Sequence, residues 1–166
     1  SVEMAIPHQA ITLDFNNPLK AGNTWRVNFS RVQWLKKNGP EENWVWSPTG
    51  EIDRHMPDRW GFVYLSDKVV GQATETFQYP YHMGVYKLLW ALFYAQKDFY
   101  EKEKNYIRNE DYFFLTHREK EGLPKGSQIK VEATTHTFNM SISIPEENIC
   151  YTVDEDGKFS IVKIES

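Results

Sequence analysis

The feature that most constrains the fold is residues 81–105, YHMGVYKLLWALFYAQKDFYEKEKN. Apolar residues recur there at intervals of three and four, which is the rhythm of one face of an α-helix. The first half is apolar nearly all round, whereas the second half is charged. We therefore expect one long helix that buries its beginning and exposes its end, with EKEK as a solvated face.

Short strand-like runs lie on both sides of this helix. Before it, WRVNFSRVQW at residues 25–34 and WGFVYL at residues 60–65 are the clearest, and VEMAI at residues 2–6 alternates up to Pro7. After it come IKVEAT, TFNMSISI, NICYTV and KFSIVKI, with Asp154 to Gly157 as a hairpin turn between the last two. The sequence predicts a mainly β protein with one long helix, in which residues 1–72 are part of a β-sandwich and residues 73–166 are an α+β piece, a helix packed on an antiparallel meander.

The strands of the first half are too few for a complete sandwich. At most four can be counted, whereas a sandwich of two packed sheets usually has about seven. Either the first strands lie on a segment outside this chain, or a second chain completes the sheet. Within residues 25–34 the apolar parity changes at Ser30 and Arg31, which predicts a bulge that re-aims Arg31.

Charge and composition restrict the partners. The chain has 19 basic and 23 acidic residues, so the formal charge is 19 − 23 = −4 and we expect no binding to nucleic acid. No run reaches the roughly 18 apolar residues of a membrane helix, so no membrane span is predicted. The single cysteine, Cys150, excludes an internal disulfide and a thiolate zinc cluster. Aromatic residues form 15% of the chain, which suits a ring-rich core or a surface that stacks on ligands.

Residues 43–62, NWVWSPTGEIDRHMPDRWGF, combine three tryptophans with turn residues and charges. A tryptophan ring can cover the C–H face of a pyranose, while Asn, Arg or a carboxylate binds its hydroxyls. Trp44 and Trp46 have the same parity in extended backbone, and Asn43 has the opposite one. A contact between Asn43 and Trp46 therefore requires irregular backbone, which a turn at Ser47 and Pro48 supplies.

The runs WRVNFSRVQW and ENWVWSPTGEIDRHMPDRWGFVYLS together resemble the closing part of carbohydrate-binding module family 9. VEMAIPHQAI resembles a late strand of that module, and FYAQKDFY is similar to a C-terminal extension of longer relatives. The resemblance implies a non-catalytic β-sandwich that binds the end of a sugar between aromatic rings and supports polysaccharide degradation, outside the cytoplasm. Asn43 and Trp46 match the Asn and Trp of the family site in their spacing of three. The second stacking Trp and several polar ligands of the family belong to an earlier half that this chain does not contain.

We accordingly predict that Trp46 and Asn43 bind sugar, with Trp44 and Arg31 as further site residues, and that Trp25 and Trp60 are core residues. Two interpretations of Trp44 are left open, a core residue and a site residue. Arg31 is interpreted either as a donor to sugar hydroxyls or as a member of a surface ion pair. The ligand class implied is a glucan- or xylan-type oligosaccharide.

No catalytic residue and no metal ligand is assigned. The loop residues Glu51, Asp53, His55 and Asp58 offer oxygens that suit calcium, but they lack EF-hand spacing. The resemblance allows a structural calcium ion and implies no other cofactor. Two alternatives remain: a glycoside hydrolase component with carboxylates such as Glu51 and Asp58 about 5 to 9.5 Å apart, and a structural or protein-interaction domain in which every ring is core and the helix docks a partner.

Overall fold

A computed structural model describes residues 4–11, 19–50, 55–69, 71–72, 74–113 and 120–164. The protein is mainly β with one long helix, as the sequence predicts. Its backbone packing divides the chain into two compact units, Ser1–Gln78 and Tyr79–Ser166.

The described residues of the first unit form two small antiparallel sheets. Strand β1 (Thr24–Val27) pairs with β4 (Gly61–Tyr64), and β2 (Ser30–Trp34) pairs with β3 (Glu41–Val45). A 3-10 turn, Pro57–Arg59, leads into β4. The ribbon formed by β2 and β3 will be called the β2–β3 ribbon.

The run at residues 25–34 does not form one bulged strand. The chain leaves the first sheet after Val27 and enters the second at Ser30, so that Asn28 and Phe29 connect two strands with different partners. The change of apolar parity thus marks a transfer between sheets, and Arg31 lies in a regular ladder opposite Trp44. The expected bulge is wrong for this reason.

The strand expected at the N-terminus is also wrong for its described part. Residues 4–7 are irregular, and they lead into a short helix, α1 (His8–Ile11). The Ala10 amide donates a hydrogen bond to the Pro7 carbonyl at 2.9 Å. Proline has its φ fixed near the helical value, and this favours the start of a helical turn over the end of a strand.

The first unit buries very little apolar surface. Among its described residues no hydrophobic side chain is buried, and Thr49 is the buried residue. Two-stranded sheets are marginally stable by themselves, because each strand has one open edge and its faces cover little area. Trp25 and Trp60, which we expected in the core, are therefore only half-buried.

The second unit matches the sequence prediction closely. Helix α2 (Met83–Glu103) is followed by strands β5 (Gln128–Ala133), β6 (Phe138–Ile144), β7 (Ile149–Asp154) and β8 (Phe159–Lys163). The four strands form an antiparallel meander in the order β5-β6-β7-β8. Asp154 and Gly157 close the last hairpin: the Gly157 amide donates to the Asp154 carbonyl at 3.0 Å, and its φ of +76° favours glycine.

The core of the second unit lies between α2 and the inward face of the meander. Alternate residues of β6 and β7 point to the helix. The first half of the helix buries apolar side chains, and its charged C-terminal end is exposed. The buried cluster consists of Val85, Leu88, Leu89, Leu92, Phe93, Tyr106, Val131, Phe138, Met140, Ile142, Ile144, Tyr151 and Val153.

Two contacts fix the segments that flank the helix. The buried Gln96 side chain donates to the Ile107 carbonyl and accepts from the Ile107 amide, both at 2.8 Å. At the other end, a Cβ at Gly84 would lie 1.8 Å from the Gly122 carbonyl oxygen, so the first turn of α2 touches this backbone directly. The second contact joins residues that are distant in the sequence.

Candidate functional site

The register of the β2–β3 ribbon places most of the exposed rings of this region on one face. Arg31 pairs with Trp44, and Gln33 pairs with Glu42. The Trp46 amide donates to the Phe29 carbonyl at 2.8 Å, so the same antiparallel pairing continues one step beyond the strands. Because directly paired residues share a face, one face carries six side chains. This face, the ring face, consists of Phe29, Arg31, Gln33, Glu42, Trp44 and Trp46.

The three rings of the ring face are open to solvent. Trp44 is 62% exposed, Trp46 is 54% exposed and Phe29 is 51% exposed. Exposed aromatic surface of this kind is unfavourable in water unless a ligand or another chain covers it. The rings therefore mark a surface that is available for binding.

Trp46 packs against Phe29 and Gly61, and about half of its side chain stays exposed. Its ring meets the Phe29 ring edge-on, with centroids 5.8 Å apart and an interplanar angle of 64°. The benzo edge of the indole lies over Gly61 on β4, where a Cβ would be 2.6 Å from the indole Cζ3 atom. A residue with any side chain at position 61 would thus displace the indole.

The backbone after Trp46 is fixed by Asn28. The Asn28 side chain donates to the Ser47 carbonyl at 2.8 Å and accepts from the Ser47 amide at 2.9 Å. The Arg59 guanidinium donates to the carbonyl of the buried Thr49 at 2.9 Å. These bonds determine the direction in which the chain leaves Trp46, and they pre-orient the indole.

Asn43 does not share a face with Trp46. It pairs with Val32 on the opposite side of the ribbon, and its amide donates to the Glu41 carboxylate at 2.7 Å. The irregular backbone that would bring Asn43 to Trp46 begins only after β3 ends, at Trp46 and Ser47. The family spacing of three therefore does not assemble the pair on one face of the ribbon.

Trp44 and Arg31 are neighbours across the two strands of the ribbon. Arg31 is exposed, and its side chain makes no hydrogen bond or ion pair within the described part of the chain. The same holds for the side chains of Gln33 and Glu42 among the described residues. The ring face thus interleaves aromatic surface with polar groups that are not engaged within the described chain.

Trp34 lies on the other face of the same ribbon, with Val32 and Val45. It is 60% exposed, much like Trp46, and it pairs with Glu41. The ribbon therefore offers an internal comparison: two tryptophans of similar exposure on opposite faces.

Phe29, Asn28 and Gly61 belong to this site although none was predicted for it. Phe29 and Arg31 are two residues apart, so they share a face of an extended strand. Phe29 could therefore have been predicted as a site residue once Arg31 was chosen. The role of Gly61 depends on an indole that arrives from another sheet, and no local pattern indicates such a contact.

The acidic loop is only partly described. Glu51 and Asp53 lie outside the described residues, so the expected separation between Glu51 and Asp58 lies outside them too. The Asp58 side chain is 4% exposed and lies 3.8 Å from the Arg59 Nε atom, which indicates a structural ion pair. In the ranges that the structure covers, no group of three or more His, Cys, Asp or Glu residues is arranged to hold a metal ion.

Other polar contacts of the first unit lie apart from the ring face. The Glu75 carboxylate accepts from the Tyr64 hydroxyl at 2.9 Å and from the Ser66 hydroxyl at 2.5 Å. The hydrogen bond with Glu75 is the main reason that the pKa of Tyr64 is raised above its usual value. On β1, the Arg26 guanidinium lies 4.0 Å above the centre of the Phe62 ring.

Comparisons of the chain with protein families, with curated proteins and with solved structures gave no match. Among the described helices, none has the length and apolar character to cross a membrane. A function for the chain is therefore inferred from the geometry of the ring face.

Proposed function

We propose that the protein binds carbohydrate without catalysis, by stacking a sugar on the exposed indole of Trp46. One observation carries the proposal: Trp46 and Trp44 are both more than half exposed on one face of the β2–β3 ribbon. An indole plane in this position offers the flat apolar surface that the C–H face of a pyranose requires.

The polar groups of the ring face favour a sugar over a polypeptide core. Arg31, Gln33 and Glu42 alternate with the rings and have no side-chain partner among the described residues. If a core covered this face, these groups would be desolvated without compensation, which is costly. A saccharide offers hydroxyls that both donate and accept, so it compensates them while it covers the rings.

The resemblance to carbohydrate-binding module family 9 gives the proposal its biological form. In that form the ligand is a sugar or the end of an oligosaccharide of the glucan or xylan type. The protein then supports polysaccharide degradation in the periplasm, at the cell surface or in the secreted fraction. Asn43 would then act from the opposite face only after a rearrangement of the backbone, so we place the site on Trp46, Trp44 and Arg31. The resemblance also allows a structural calcium ion, to which no ligands are assigned.

Binding can be tested by isothermal titration calorimetry and tryptophan fluorescence with cello- and xylo-oligosaccharides. We expect binding to the unaltered protein and its loss in Trp46→Ala, because the stacking plane is gone. Trp34→Ala is the matched control, since it removes a ring of similar exposure from the opposite face. Both variants should keep a melting temperature close to that of the unaltered protein, as both rings are more than half exposed.

Two results would contradict the proposal. If Trp46→Ala and Trp34→Ala lower the affinity equally, the ring face is not the site. If oligosaccharides release reducing sugar when incubated with the pure protein, the glycoside hydrolase alternative replaces the binding function.

A second proposal follows from the lack of buried hydrophobic residues in the described part of the first unit. We propose that further β-structured polypeptide, from a longer chain or a second chain, covers the face of the ribbon that carries Val32, Trp34 and Val45. Hydrogen exchange tests this: in the chain alone, amides of β1 to β4 should exchange much faster than amides of β5 to β8. Equal protection in the two units would contradict it.

A further inference from the structure

We infer that the ring face contains two adjacent saccharide subsites, one on Trp46 and a second on Trp44, so that its ligand has at least two linked sugar units. The inference rests on the proposed function and extends it from one sugar ring to a segment of a linear glycan.

The spacing of the two indoles supports two subsites. Trp46 follows Trp44 by two residues and continues the pairing of the ribbon through its hydrogen bond to Phe29, so their Cα atoms are separated by about 7 Å or less. Strand alternation directs both side chains to the ring face. This separation is of the same order as the repeat of a pyranose chain, so two successive units can each meet one indole.

The two subsites have different surroundings. Trp46 is fixed by the Phe29 ring and by the close approach of Gly61, which makes it the rigid, predominantly apolar subsite. Trp44 is the more exposed ring, and Arg31 lies directly across the ribbon from it. The second subsite therefore combines stacking with a guanidinium whose donors are available to hydroxyls.

The geometry also indicates the direction of the glycan. Because Trp44 lies on β3 and Trp46 directly follows the end of that strand, a chain that covers both rings runs along β3 and not across the ribbon. Gln33 and Glu42 continue the ring face beyond Trp44, where they meet hydroxyls of the same chain. Linear, unbranched glucans and xylans have this shape.

A chain-length series tests the second subsite. Calorimetric titration of glucose, cellobiose and cellotriose, and of xylose, xylobiose and xylotriose, should show an affinity gain of about tenfold from one unit to two, a size expected for one added aromatic contact. Trp44→Ala should remove this gain. Trp34→Ala should keep the gain, and circular dichroism establishes that each variant is folded.

The outcomes separate this inference from the proposed function. If single sugars bind through Trp46 but a second unit adds no affinity, the second subsite is refuted and the carbohydrate function stands. If the gain persists in Trp44→Ala, the second unit lies elsewhere and the inference is also refuted. If no sugar of either series binds, both proposals fail.

Discussion

At the scale of residues, the availability of Trp46 depends on what lies beneath its edge. Gly61 lets the indole approach β4 closely, and the Phe29 ring closes one side. Asn28 fixes the backbone of the next residue through two hydrogen bonds to Ser47. The indole is therefore positioned before any ligand arrives, which reduces the entropic cost of binding.

Gly61→Ala should weaken sugar binding by about fivefold or more, as expected for the loss of an aromatic contact. The new Cβ would lie 2.6 Å from the indole Cζ3 atom, so the ring must move. Calorimetric titration measures the effect. Trp34→Ala, which removes a ring from the opposite face of the ribbon, is the control and should leave the affinity unchanged. An unchanged affinity in Gly61→Ala would contradict this role of Gly61.

Gln96→Leu should lower the free energy of unfolding by about 2–4 kcal/mol, because two buried backbone groups lose their partners. These are the amide and carbonyl of Ile107. Urea denaturation followed by circular dichroism measures the change. Gln128→Leu, at an exposed position of β5, is the matched control and should change stability by less than about 0.5 kcal/mol. Similar losses in both variants would contradict the role of Gln96.

The residue-scale features were only partly predictable. Parity and turn residues indicated that Trp44 and Trp46 share a side, and the structure places both on the ring face. Gly61 and Gln96 could not be recognised, because each acts on a partner that only the folded chain brings near. The spacing of three between Asn43 and Trp46 did not bring the two side chains together, because strand alternation separates them, as their opposite parity in the sequence indicates.

At the scale of elements, a strong hydrophobic periodicity was sufficient to predict the helix and the strands of the second unit. The rhythm of residues 81–105 predicted α2, and alternating runs with turn residues predicted the meander of β5 to β8. The run at residues 25–34 shows the limit. A change of parity reveals that a strand is interrupted, but it does not reveal that the two parts pair with different strands, since pairing is not local.

Gly84→Ala tests how the first turn of α2 is packed. In an unobstructed helix this change stabilises by about 0.5–1 kcal/mol. Here we expect a loss of about 1–3 kcal/mol from overpacking, because the added Cβ would lie 1.8 Å from the Gly122 carbonyl oxygen. Chemical denaturation measures the difference. Ala91→Gly, at an exposed position of the same helix, is the control. It measures the difference in helix propensity between alanine and glycine without a change in packing. A stabilised Gly84→Ala variant would contradict the contact.

At the scale of the whole molecule, the apolar core is unevenly distributed. Among the described residues, every buried hydrophobic side chain belongs to the unit that begins at Tyr79. That unit combines a helix with a four-stranded meander, and such a pair of layers can bury a common core. The described part of the first unit instead combines two-stranded sheets with exposed rings, which is compatible with the proposed binding surface.

Residues 79–166 should therefore fold alone. A fragment of this length should show helical and β circular dichroism, together with a cooperative thermal transition. The corresponding fragment of residues 1–78 is the control, and we expect it to unfold without a cooperative transition. A non-cooperative melt for residues 79–166 would contradict the independence of the second unit.

The most direct test of the carbohydrate account is nuclear magnetic resonance of the six indole N–H groups during titration with cellobiose and xylobiose, assigned through single Trp→Phe variants. The account predicts that the Trp46 and Trp44 resonances shift with increasing sugar. It also predicts that the resonances of Trp34, on the opposite face, and of Trp90, whose Nε1 atom is buried in the second unit, stay in place. Shifts confined to Trp34, or no shift at Trp46 at saturating sugar, would contradict it.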